Sequence, residues 1–230
     1  MSDTQTLEKK KSEPLFSKKN KKLISNPLND DNPITVQVLG ICSALAITVK
    51  LEPAIVMSLS VLFVLGVGNV VISLMSNLIP SRIRIIVQLV VVASLVIIVD
   101  QVLKAFQPDI SEKLSVFVGL IITNCIIMGR LEAFALGNKP GPSFLDAIGN
   151  AMGYAWILLA VSIVREVFGS GAISLPGMGQ VKFLPTEWFM SEGGFYENNN
   201  LMILPPMALI TVGIIIWIQR SRNQALIEEN

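Results

Sequence analysis

Apolar residues along this chain gather into segments that are separated by short polar stretches. Most of these segments approach or exceed about 20 residues, the length that an α-helix needs to cross a bilayer. The first and the fourth are shorter, and each carries small or polar residues inside it. The predicted segments are 34–49, 54–78, 83–106, 114–128, 144–168 and 201–218. This pattern predicts an all-α, polytopic membrane protein with six transmembrane segments.

The two short segments occupy matching places, because each opens a group of three segments. An odd number of crossings per group reverses the direction of insertion, so two similar groups must have opposite topology. Short or interrupted hydrophobic segments at corresponding positions also indicate a site near the bilayer midplane. We therefore expect an inverted 3+3 repeat with two half-helices.

Composition agrees with a membrane location. The chain is 52% hydrophobic and 15% charged, whereas soluble domains are usually about 25% charged. Residues 1–33 form a polar, lysine-rich tail without the apolar core of a signal peptide, and residues 220–230 form a second polar tail. With the N-terminus inside, Lys and Arg divide thirteen inside to five outside. This bias predicts that both termini are cytoplasmic.

Two further stretches each allow two interpretations. The longest loop, 169–199, is glycine-rich and carries aromatic residues that suit either headgroup anchors or a surface for a partner. Gly149 and Gly153 are spaced for close approach of another segment. That approach could serve internal packing or a contact between subunits.

The chain has two cysteines and no histidine. Cys42 lies in segment one and Cys125 in segment four. A single membrane cysteine is usually only packing, but this matched placement favours a functional pair. Iron–sulfur clusters are normally held by four thiolates, and this chain offers two. Either a similar subunit supplies the other two ligands of a shared [2Fe–2S] cluster, or the pair forms a redox disulfide.

Acidic residues near the ends of segments are candidates for an ion path. Asp100 lies late in segment three and Asp146 early in segment five. Both could instead pair locally at the membrane interface. For Arg165 and Glu166, near the outer end of segment five, we expect a local interfacial role.

Nucleotide and flavin motifs are missing from the sequence. It contains no P-loop and no glycine-rich dinucleotide fingerprint. Ser170-Gly171-Ala172-Ile173 resembles the start of a flavin-attachment sequence, but Ile173 stands where the attachment threonine would be. We therefore expect no covalent flavin on this chain.

Several stretches resemble the D-type membrane subunits of the sodium-translocating NADH:quinone oxidoreductase (Nqr) and its sister complex Rnf. Among them are Leu39-Gly40-Ile41-Cys42 and Thr123-Asn124-Cys125. Others are Arg84-Ile85-Ile86-Val87-Gln88, Ser94 to Gln101, Gly129 to Ala135 and Ile203-Leu204-Pro205-Pro206. The resemblance covers about residues 31–219. The stretches 84–88 and 95–101 look closer to Nqr than to Rnf.

The resemblance implies a role inside a larger enzyme. In this family, two homologous six-helix subunits, NqrD and NqrE, pack as an inverted pair, and each gives two cysteines to one intramembrane [2Fe–2S] cluster. By motif, Cys42 and Cys125 are the ligands here. Other subunits carry the flavins and the NADH site, electrons pass to ubiquinone, and sodium is exported. The expected partners are these subunits and membrane lipid, not nucleic acid.

Two alternatives remain open. The chain could be the equivalent subunit of Rnf, which exchanges electrons between ferredoxin and NAD. It could also be a secondary transporter whose cysteines serve only as packing. Iron content separates the transporter from the other two, and the electron donor of the whole complex separates Nqr from Rnf.

Overall fold

The computed structural model of the chain describes most of its membrane part. The described residues are 23–28, 31–76, 78–80, 82–106, 119–170, 172–175, 179–182 and 200–222. Most of the basic tail, the start of segment four, loop residues 183–199 and the end of the C-terminal tail lie outside them. Gly171, part of the flavin-like stretch, also lies outside them.

The described residues are almost entirely helical. The α-helices are α1 (Ile41–Ile47), α2 (Leu51–Met75), α3 (Arg84–Phe106), α4 (Cys125–Arg130), α5 (Pro140–Ser170) and α6 (Pro205–Arg222). A π-helix (Leu131–Ala135) continues α4, and 3-10 turns cover Asn26–Leu28 and Asn200–Ile203. After α5, β1 (Ala172–Leu175) and β2 (Gly179–Lys182) form a short antiparallel ribbon. The predicted helical class is confirmed, and the ribbon adds a small pair of strands that hydrophobic patterning did not predict.

Three of the described helices are long and apolar enough to cross a membrane. They are Leu51–Met75, Arg84–Ala105 and Pro140–Gly169. These correspond to segments two, three and five of the sequence analysis.

Helices α2 and α5 pack against each other in antiparallel orientation and form the centre of the fold. At one end, the backbone N–H of Leu51 donates to the Glu166 carboxylate at 2.9 Å. At the other end, the Ser73 hydroxyl donates to the carbonyl of Asn138. Between these helices lies a core that includes Val61, Leu65, Leu158 and Val161, all fully buried. The start of each helix therefore lies beside the end of the other.

Prolines set where the long helices begin. Pro140 opens α5 and Pro205 opens α6, while Pro53 lies in the first turn of α2. The first turn of a helix leaves its N–H groups unpaired, so a residue without an N–H costs nothing there. Because of Pro140, α5 begins earlier than the apolar pattern alone indicates.

The N-terminal segment packs on α5 through two glycines. A Cβ atom at Gly149 would collide with the backbone carbonyl of Leu23, and one at Gly153 would collide with that of Pro27. Asn32, fully buried, donates to the carbonyl of Gly153 at 3.1 Å. The close approach predicted from the glycine spacing is thus internal packing. The end of the polar tail lies against the membrane domain rather than in solvent.

Candidate metal centre

Both cysteines lie at the start of a short helix. Cys42 is the second residue of α1, and Cys125 is the first residue of α4. Both thiols are free and exposed at the surface of the isolated chain. The two short segments of the sequence therefore place their cysteines alike, each in the first turn of a short helix.

Segment four is interrupted immediately before its cysteine. Residues 119–122 are helical, and the chain then extends at Asn124, with φ −69° and ψ 119°, before α4 starts. The Asn124 side chain accepts from the backbone N–H of Ile126 at 3.3 Å and so caps α4. Asparagine is among the preferred residues at this position, because its side-chain oxygen satisfies one of the unpaired N–H groups of the first turn.

The approach to Cys42 is also irregular. Gly40 has a left-handed φ of 81° directly before α1, and Val38 has a φ of 58°. Left-handed backbone is easily adopted by glycine but is strained for a β-branched residue. Such strain persists only where the surrounding structure enforces it.

The two short helices α1 and α4, called half-helices below, contact each other beside their cysteines. Asn124, the neighbour of Cys125, donates from Nδ2 to the hydroxyl oxygen of Ser43, the neighbour of Cys42, at 3.5 Å. Ser43 also lies 2.7 Å from the Tyr154 hydroxyl on α5. The residues adjacent to both thiols therefore meet at one point of the fold. Tyr154 was not predicted from the sequence, since nothing in its local pattern separates it from other apolar positions of segment five.

Few other metal-binding side chains are available. Within the described ranges, no group of three or more His, Cys, Asp or Glu side chains is arranged to hold a metal ion. The donor set near α1 and α4 is therefore two soft thiols. Soft thiolates suit iron–sulfur clusters, whereas hard cations prefer oxygen ligands. Two thiols are too few to complete a four-thiolate site.

The two candidate ion-path residues lie in different surroundings. Asp100 pairs with Lys104 one turn along α3, at 2.6 Å and near the surface. Asp146 is 1% exposed and receives bonds from Arg130 on both carboxylate oxygens. Asn150 adds a further bond to Asp146 at 3.1 Å. The structure does not bring these two acids together with the cysteines.

A third ion pair joins the π-helix to α3. Glu132 accepts from Gln88 at 3.0 Å and pairs with Arg84. This contact links the half-helix that begins at Cys125 to the start of α3. Both α3 and α5 are thus tied by charged side chains to the end of the second half-helix.

Arg165 and Glu166 are buried and bond to other segments of the chain, so the expectation of a local role is wrong. Arg165 is 2% exposed, and it donates to the carbonyls of Met202 and Ile203 at 3.1 and 2.7 Å and to the Thr48 hydroxyl at 2.7 Å. Its guanidinium also reaches the carbonyl of Leu45 at 3.4 Å. These carbonyls belong to the last turn of α1 and to the turn before α6, where helix geometry leaves carbonyls unpaired. Arg165 therefore connects α5 to the end of α1 and to the turn before α6 through hydrogen bonds.

Comparisons with known proteins agree on one family. A family model described as "Rnf-Nqr subunit, membrane protein" matches residues 20–216. The chain is 51% identical over 212 residues to a Photobacterium profundum protein that is named as the D subunit of a Na(+)-translocating NADH-quinone reductase. That match covers 92% of this chain and 97% of its relative.

Proposed function

The chain belongs to the Rnf-Nqr family of membrane subunits, and on that premise we propose that it is a subunit of a sodium-translocating NADH:quinone oxidoreductase. A relative that carries the name of such a subunit is 51% identical to this chain, and the match covers 97% of that relative. In the proposed role the chain is not catalytic alone. It holds half of an intramembrane [2Fe–2S] cluster between the NADH-oxidising and quinone-reducing parts of the complex.

The observation that carries this proposal is the junction of the two half-helices. Asn124 and Ser43 are in contact, each is the immediate neighbour of a cysteine, and both thiols are exposed. An exposed pair of thiols can be reached by ligands from outside the chain. A homologous subunit that presents a similar pair would complete four thiolates.

The chain's own residues can perform three tasks at this site. Cys42 and Cys125 would hold the cluster, which supplies one-electron transfer when bound. Asn124 fixes the first turn of α4 by capping it. Ile126 and Ala44, one and two residues after the cysteines in sequence, are fully buried in the hydrophobic core and so anchor the two short helices to it.

The antiparallel packing of α2 and α5 supports an inverted repeat. These helices are the second elements of the two halves, and an inverted repeat requires corresponding elements to run in opposite directions. In the proposed topology both termini face the cytoplasm of a bacterium. Residues 79–82 and 129–142 then face inward, while residues 50–53 and 169–199 face outward. Labelling of single cysteines introduced into these loops tests the topology, and labelling of 79–82 and 169–199 from the same side would contradict it.

We place the sodium path at the acidic residues Asp146 and Asp100, near the inner and outer ends of the domain. Carboxylate oxygens suit hard cations. The support at Asp146 is its burial beside Asn150, whose Oδ1 has no hydrogen-bond donor among the described residues. A buried carbonyl oxygen without a donor is a ready ligand for a cation or a water molecule.

Two variants of the whole complex test the proposed function. Cys42→Ala and Cys125→Ala each remove a ligand that no other residue of this chain can replace, because the sequence has only two cysteines. Both should abolish NADH-driven quinone reduction while NADH oxidation by an artificial acceptor survives. Ser94→Ala is the matched control, since the Ser94 hydroxyl is exposed on α3 and bonds to its own helix at Val90.

The alternatives give different results. Full quinone reductase activity in both cysteine variants would sink the proposal and leave packing as the role of the thiols, as in a transporter. The chain would belong to Rnf instead if the complex accepts electrons from ferredoxin but not from NADH, and if the cysteine variants lose that ferredoxin-driven activity.

A further inference from the structure

We propose that Tyr154 is a positioning residue that sets the relative placement of the two cysteines through Ser43 and Asn124. The inference rests on the proposed function, because it assumes that the two thiols hold a cluster. It adds a residue of α5, outside both half-helices, to the site.

The direction of the hydrogen bonds follows from a count of protons. A serine hydroxyl has one proton to donate and can accept two bonds. The Ser43 hydroxyl donates to the carbonyl of Gly40 at 2.8 Å. The Tyr154 hydroxyl, 2.7 Å away, must therefore donate to Ser43, and Asn124 donates to the same oxygen from its amide. Ser43 thus receives one bond from α5 and one from the half-helix of Cys125.

The tyrosine ring fixes the backbone as well. A Cβ atom on Gly40 would lie 3.0 Å from Cε2 of Tyr154 and 3.4 Å from Oδ1 of Asn124. Gly40 is also in the left-handed region, so a side chain is disfavoured there for two separate reasons. The turn that leads to Cys42 therefore lies directly on the ring of Tyr154 and beside the cap of α4.

Helix α5 holds the Tyr154 side chain in a fixed position. Tyr154 is fully buried, and its neighbours along α5 pack against α2 in the centre of the fold. Half-helix α1 has seven residues, and α4 has six before it continues into the π-helix Leu131–Ala135. Helical runs this short have little stability of their own. The ends that carry the cysteines therefore need contacts from outside the two helices to fix their positions. The Tyr154 hydroxyl provides such a contact for both ends, because it bonds to the Ser43 oxygen that also accepts from Asn124.

Substitutions that keep the volume separate positioning from packing. Tyr154→Phe keeps the ring against Gly40 and removes only the hydroxyl. Ser43→Ala removes the acceptor of both bonds. The matched control is Ser58→Ala, because Ser58 is a buried serine of α2 whose hydroxyl bonds to the carbonyl of Ala54 in its own helix.

The experiment uses the purified complex, with the rate of iron loss to a strong chelator and the electron paramagnetic resonance spectrum of the reduced cluster as readouts. Tyr154→Phe should accelerate iron loss by about three- to tenfold, the factor expected when the net contribution of one hydrogen bond is lost. Ser43→Ala should accelerate it at least as much, because it removes the acceptor of both bonds. Both variants should also shift the spectrum, while Ser58→Ala leaves rate and spectrum as in the wild type. Thermal stability of the complex, measured in parallel, shows that each variant is folded.

The outcomes separate the positioning role from the proposed function. A rate of iron loss and a spectrum that stay unchanged in both variants overturn the role of Tyr154 and leave the proposed function standing. If Tyr154→Phe does not fold, Ser43→Ala alone tests the positioning role. An iron content that Cys42→Ala leaves unchanged overturns both, because no cluster is then held by this chain.

Discussion

Arg130 donates to both carboxylate oxygens of Asp146 and so joins the end of the second half-helix to the first turns of α5. Asp146 is almost completely buried, and the Arg130 side chain is 15% exposed. A buried ion pair adds little to stability relative to apolar residues, but the loss of one partner leaves an uncompensated charge. This difference leads to a first prediction.

Asp146→Asn and Arg130→Gln should each destabilise the chain by about 3–5 kcal/mol, the usual result when one member of a buried pair is removed. The double variant should recover part of that loss, since neither charge is then left alone. Chemical or thermal unfolding of the purified complex measures the three free energies. Strictly additive effects would show that the two side chains are not coupled.

Asp100 allows the ion path to be tested without a large change in stability. Its pair with Lys104 is close to the surface of α3, and such pairs contribute about 0.3–0.5 kcal/mol. In Asp100→Asn we expect near-normal stability and a higher sodium concentration for half-maximal turnover. Lys104→Gln, which removes the other half of the pair, is the control. An equal shift in both variants would mean that the pair, not the carboxylate, matters.

The glycines of α5 hold the N-terminal segment in place. Gly149→Ala and Gly153→Ala should each displace residues 23–28, because the added Cβ meets a backbone carbonyl that cannot rotate away. The measurement is the rate of proteolysis of this segment in the purified complex, and we expect that rate to rise. Gly213→Ala in α6 is the control, since a Cβ at Gly213 has no atom within 4 Å in the described structure. Unchanged cleavage in all three would contradict the packing described for Gly149 and Gly153.

Arg165 should be among the most sensitive positions for stability. Arg165→Met keeps a long apolar side chain but leaves the carbonyls of Met202 and Ile203 without their donor. An unpaired acceptor costs about 1–3 kcal/mol when it is buried, and because these two carbonyls are only partly buried we expect the lower part of that range for each. Arg82→Met, at an exposed position between α2 and α3, should have little effect. Similar melting temperatures for the two variants would show that the connections made by Arg165 do not stabilise the fold.

The helix spans and their breaks could be predicted from the types of residues that are near each other in the sequence. The long spans follow from runs of apolar residues, and the two breaks follow from small and polar residues at Gly40 and Asn124. The glycine spacing of α5 predicted a close approach, and the structure shows that the N-terminal segment makes it.

The identity of partners across long separations could not be predicted in this way. Arg165 lies next to Glu166, so a local role looked reasonable, but in the fold each residue binds a different segment. Tyr154 and Ser43 are 111 positions apart. Their hydrogen bond depends on how α5 packs beside α1, and no local pattern encodes that contact.

Iron and acid-labile sulfide bound by the purified complex, compared between the wild type and the Cys42→Ala, Cys125→Ala double variant, test directly whether this chain holds a cluster. We predict that the double variant lacks about two irons and two sulfides per complex, the content of one [2Fe–2S] cluster, while the flavin content is unchanged. Equal iron and sulfide in the two preparations would contradict cluster binding, and the two thiols would then be packing residues.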